Sequence, residues 1–207
     1  ALATSVQRLS TGLRVNSAKD DAAGLAIAER MNTQVRGMNV AVRNANDAIS
    51  LAQTAEGALS KINDMGQRMR ELAVQSANAT NNETDRESLD AEFQALSAEI
   101  KRNLEGTSFN GTKLFAALAT MTFQVGANNA TTDQIAVVTT NLTTDTTMTG
   151  ILGGGGGATA ADIKNVDKSR EALDKLDKML ATVNSKRAEF GATQNRFEAV
   201  IQTLQVS

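Results

Sequence analysis

The chain has 207 residues, with 21 Lys and Arg against 23 Asp and Glu for a net charge of -2, and it contains no His, Cys, Trp, Tyr or Pro. Without imidazole or thiolate it lacks the usual general base, the usual thiol nucleophile and the common zinc ligands. With no Lys/Arg-rich run it also lacks the footprint for nucleic acid or an acidic membrane, so we expect no enzyme activity, no cofactor and no metal.

Absence of proline allows long uninterrupted helices, and six aromatics, all Phe, point to thin helix seams rather than a thick globular core. Lack of cysteine fits an exported chain. No stretch approaches the roughly 18 apolar residues of a membrane span, and no charged n-region followed by an apolar h-region opens the chain. Opening on Ala1 within a helical pattern reads as a chain trimmed from a longer one.

In chain order, Ala1 to Leu13 reads as the end of a helix broken at Gly12. Ser17 with Asp20 three residues on has capping-box spacing, and Asp20-Asp21 suits the positive end of a helix. A helix of about 57 residues, roughly 85 Å long, then reaches Ala77. Its predicted seam is Met31, Val35, Met38, Val42, Ala45, Ile49, Ala52, Glu56 and Leu59, slipping by one to Ile62, Met65, Met69 and Leu72. After a turn over 78–82, Asn82 or Thr84 caps a shorter helix with the seam Leu89, Phe93, Leu96 and Ile100, ended by Gly106.

From Thr107 to Ala160 the pattern changes. Met121 to Val125 and Ile135 to Val137 read as a hairpin around Gly126-Ala-Asn128-Asn129. Thr139 to Thr149 and the run Gly153 to Gly157 read as loop or linker. From Ala161 a heptad returns through Val166, Ser169, Leu173, Leu176, Leu180, Val183, Arg187, Phe190, Gln194, Phe197, Ile201 and Leu204, predicting a second long helix of about 45 residues. The fold expected is mainly α: an elongated antiparallel helical bundle or coiled-coil rod of two long helices and one shorter one, with a small β-hairpin region at one end.

Two motifs have plain explanations. The glycine run lacks the following Lys-Ser or Lys-Thr of a phosphate loop, and the Asp20-Asp21 pair is explained by capping. The segment Gln67 to Gln75 stays open. Arg68, Leu72 and Gln75 share a face at i, i+4 and i+7, which reads either as a binding anchor or as core leucine beside solvated arginines.

Six motifs, in order, resemble bacterial flagellins: QRLSTGLRVNSAKDDAAGLAIAERM (Gln7 to Met31), NANDAISLAQTAEGAL (Asn44 to Leu59), QRMRELAVQSANATN (Gln67 to Asn81), FNGTKLF (Phe109 to Phe115), FQVGAN (Phe123 to Asn128) and GATQNRF (Gly191 to Phe197). The resemblance implies a filament subunit, secreted and extracellular, divided into an N-terminal helical part (1–115), a reduced variable region (116–160) and a C-terminal helix (161–207) of the inner rod. It further implies that the family's extreme terminal segments are missing at both ends, so a monomer is expected. The implied partners are other flagellin subunits, an export chaperone, the filament cap and Toll-like receptor 5. The matching receptor-binding or subunit-interface positions are Arg68, Leu72 and Glu92, flanked by Gln67, Arg70, Glu71 and Gln75. Rival readings are the hook-filament junction protein, a secreted helical adhesin, and a protease-bearing flagellin, which would need a His-Glu-x-x-His motif that a chain without His cannot supply.

Overall fold

The computed structural model describes residues 6, 9–12, 14–154 and 159–206. Most of the predicted first helix, and Gly155 to Gly157 of the glycine run, lie outside them. Residues 9–11 are helical, and Gly12 follows at φ 69, a left-handed conformation that ends a helix at no steric cost.

Helix α1 (Ala22–Ser76) has 55 residues. Its cap is Asp21 rather than Ser17: the Asp21 backbone is extended, and its carboxylate accepts from the Gly24 amide at 2.8 Å. Ser17 and Asp20 instead close a separate turn just ahead, where Asp20 accepts from the Ser17 amide and hydroxyl. A side chain at position 24 would place its Cβ 2.5 Å from Asp21 Oδ2, so glycine there leaves room for the cap.

The buried line of α1 also departs from the expected one. Met31 and Val35 are exposed at 61% and 50%, and Met38, Val42, Ile49 and Glu56 are only half-buried. The line that disappears from solvent is Ala41, Ala45, Ala48, Ala52, Ala55, Leu59, Ile62, Gly66, Met69, Ala73 and Ser76, with Leu51, Asn63 and Leu72 buried beside it. It keeps strict four-three alternation throughout, with no slip, and eight of its eleven members are Ala, Gly or Ser. Small residues win because they let two backbones approach closely, a preference that hydropathy does not register.

Helix α2 (Glu83–Gly106) opens on a complete capping box. The Asn82 side chain accepts from the Asp85 amide, and the Asp85 carboxylate accepts from the Asn82 amide. It runs antiparallel to the C-terminal part of α1 and buries Phe93, Ile100 and Leu104, with Leu89 and Leu96 packed at the margin. Arg86, 8% exposed, donates to the carbonyls of Ser76, Asn78 and Asn81 and so satisfies the open C-terminal end of α1.

Strands β1 (Ser108–Phe109) and β2 (Thr112–Lys113) form a two-residue hairpin with Asn110 at φ 47 and Gly111 at φ 80, the positive pair of a type I′ turn. The following Leu114 and Phe115 enter the core. Strands β3 (Thr120–Gln124) and β4 (Gln134–Val138) pair antiparallel in the expected hairpin. Its connecting loop lies against α1, where a Cβ on Gly37 would meet Ala127 Cβ at 2.8 Å, and the Asn44 side-chain amide donates to the Gln124 carbonyl.

The Thr-rich tract is packed rather than loose. Thr139 and Leu142 are fully buried, and α3 (Thr146–Leu152) is capped by Asp145 and buries Met148 and Ile151. Sparse apolar residues anchor it while hydroxyls are satisfied locally: Thr139 Oγ1 accepts from the Ala119 amide.

Helix α4 (Val166–Val206) has 41 residues and returns antiparallel along α1. Ser169 meets Ser76 at one end, Asp177 meets Arg70, and Gln194 meets Glu56 further along. Every residue of its predicted seam is buried or half-buried, joined by the buried Ala172 and Met179. Phe190 packs edge-on to Phe115 and Phe197 edge-on to Phe123, which ties the intervening chain to the helical rod.

Candidate functional site

The surface expected from Gln67 to Gln75 lies where α1, α2 and α4 run side by side. Arg68 is about half exposed and bridges two helices: its Nε donates to Glu92 Oε1 at 2.9 Å, and Nη1 donates to Glu71 Oε2 at 3.0 Å. The hydrogen bond to Glu92, then that to Glu71, raises the Arg68 pKa above the ordinary guanidinium value. On the adjacent flank Arg70 Nε donates to Asp177 Oδ1 of α4 at 2.7 Å, which raises its pKa likewise. Both guanidiniums remain charged at any physiological pH, presented on a rigid three-helix ridge.

Between them Gln67, Arg70, Glu71, Val74 and Gln75 line a shallow open groove of about 540 Å³. Val74, 51% exposed, supplies its apolar floor. Leu72 belongs elsewhere: at 1% exposure it is core, which resolves the two readings of that residue and corrects its placement on a binding face. Four residues along a helix is a rotation of about 40°, enough to carry position 72 from the Arg68 rim into the seam. Thus Arg68, Glu71 and Glu92 are joined directly, Gln67, Arg70 and Gln75 flank them, and Leu72 supports them from beneath.

Sequence reasoning missed Val74 and Asp177. Val74 breaks the seam period and so carries no periodic signal, and Asp177 enters only through the α1/α4 register, which side-chain spacing along one helix does not encode.

A buried polar junction fixes the ridge at its upper end. Asp90, 4% exposed, accepts from the Ile163 amide and from Gln94, while Ser76 and Ser169 both donate to the Ile163 carbonyl. Among the described residues, no group of three acidic side chains converges to hold a metal, and no helix is long and apolar enough to cross a membrane.

A long helical rod with a small-residue seam and a charged, rigid ridge defines a structural protein that acts through packing and surface contact. Residues 1–120 match the family model described as the bacterial flagellin N-terminal helical region. Over 200 residues the chain is 44% identical to the flagellin of Halalkalibacterium halodurans, covering 96% of this chain and 70% of that one. Over 135 residues it is 56% identical to a flagellin of Salmonella typhimurium LT2, covering 65% of this chain but 27% of that longer protein. The crystal structure of Bacillus cereus flagellin superposes with a TM-score of 0.66 at 31% identity, over 78% of this chain and 88% of that one. A protein described as flagellar hook-associated from Vibrio parahaemolyticus gives 0.73 over 91% and 94%, but at 14% identity it shares the fold alone.

The chain belongs to the bacterial flagellin family, whose members are structural subunits of the flagellar filament.

Proposed function

We propose that this chain forms the helical rod of a secreted, extracellular filament subunit, packing against other copies of itself, and that the released monomer is a ligand for Toll-like receptor 5. The observation that carries the receptor reading is the Arg68 guanidinium, held half-exposed between Glu92 and Glu71 beside the Val74 groove. Arginine anchors next to exposed apolar surface are a common basis of protein recognition. Gln67, Arg70 and Gln75 complete the footprint, and Leu72 contributes by holding α1 and α2 together below it. Neighbouring subunits use the same ridge in the polymer, so filament and receptor compete for it. An export chaperone and the filament cap are further partners implied by the family.

A receptor reporter-cell assay tests the footprint. Arg68→Ala and Glu92→Ala should each weaken signalling with little change in thermal stability, because both side chains are exposed. Variants that signal as well as the parent would remove the ridge from the receptor reading.

A further inference from the structure

The chain contains one Asn-Gly pair, Asn110-Gly111, and it forms the turn between β1 and β2. Asn110 is the one non-glycine residue at positive φ among those described. Both turn residues are exposed, and a Cβ built on Gly111 would meet nothing within 4 Å. Among the described residues nothing accepts from the Gly111 amide, and the Asn110 carboxamide has no hydrogen-bond partner. Two residue pairs and the bond from the Leu114 amide to the Thr107 carbonyl hold the hairpin, all on the core side of the exposed turn, so opening confined to the turn costs little.

The chain's two Asn-Ser pairs stand in contrast. The Ser17 amide is engaged by Asp20 Oδ2 at 3.1 Å, and Asn184-Ser185 lies inside α4, where helical hydrogen bonds fix the backbone.

We propose that Asn110 is this protein's site of spontaneous deamidation. When the turn opens, the Gly111 backbone nitrogen attacks Asn110 Cγ and gives up its proton. The bond from Cγ to the side-chain nitrogen breaks and ammonia leaves, forming a five-membered succinimide. Water then opens the ring at one carbonyl or the other, giving aspartate or isoaspartate at position 110. Glycine favours the attack because no side chain shields the nitrogen.

The isoaspartate product routes the main chain through one extra carbon. A two-residue type I′ loop cannot absorb that added length, so the distortion is passed to Leu114 and Phe115, both buried and the latter packed on Phe190. Deamidation would therefore mark aged chains and loosen the core at the end of α2.

The test is to incubate the folded protein in mildly alkaline buffer and follow peptides by mass spectrometry, with isoaspartyl methyltransferase labelling as a second readout. The peptide containing Asn110 should exchange amide for acid several-fold ahead of those containing Asn16 and Asn184, and should take the label. Asn110→Gln should lose the label, because closure to a six-membered ring is much slower. If Asn110 stays intact in the folded protein while the urea-unfolded chain converts there, or if Asn16 or Asn184 converts first, the proposal is wrong. Should Asn110→Gln fail to fold, the ordering of the three peptides in the unaltered protein decides alone.

Discussion

Leu72 and Arg68 stand one helical turn apart, yet one is core and the other rim, so their substitutions should separate cleanly. Leu72→Ala is expected to cost about 2–5 kcal/mol in urea unfolding, as buried leucine truncations do. Any loss of receptor signalling in that variant should be recovered when the assay is run well below its melting temperature. Arg68→Ala should leave the unfolding midpoint nearly unchanged, since its ion pairs are solvent-exposed and screened by salt. Glu99 gives the pH counterpart: its hydrogen bond from Arg102 lowers its pKa. The stabilisation is therefore present above the ordinary glutamate range and is lost as pH falls through the lowered value. Because the pair is exposed, the Glu99→Gln variant should differ from the parent only slightly near neutral pH and converge with it in acid.

At the level of elements, the long helices, the capped shorter helix and the β3-β4 hairpin were all legible, because each rests on a periodic or turn signal that survives without tertiary context. What was not legible was which stripe of α1 turns inward. Hydropathy ranks Met31, Val35 and Ile49 above Ala41, Ala48 and Gly66, but packing against α4 selects for small size. Gly66 is the sharpest instance, since its Cβ would lie 2.9 Å from both Met179 Cε and Leu180 Cδ2. Gly66→Ile should overpack this contact and cost about 1–3 kcal/mol by denaturant melt, despite removing a glycine from a helix interior. The β1-β2 hairpin has no periodic signal, because two-residue strands carry no alternation. Its Asn-Gly pair was the signal available. Of the ridge, the charged residues were visible in sequence, whereas the burial of Leu72 and the reach of Asp177 depend on how three helices are phased.

For the molecule as a whole, the rod is a single antiparallel unit in which α4 and α2 clamp α1, and the β3-β4 hairpin braces the opposite end near Gly37 and Asn44. The chain spans 70% of one flagellin relative and 27% of a longer one. The α1/α4 seam also carries an asymmetry that should be visible in mutational tolerance. One helix presents mostly Ala, Gly and Ser, interrupted by Leu59, Ile62 and Met69, where its partner presents mostly Leu, Met, Val and Phe, with Ser169 and Ala172 at one end. Substitution scanning should therefore find the small seam positions of α1 hostile to growth, and the bulky seam positions of α4 hostile to shaving. A lineage drifting under such a constraint would hold its alanines and glycine on one helix as fixed as the bulky residues on the other. The least hydrophobic part of the interface would then be among its slowest to change.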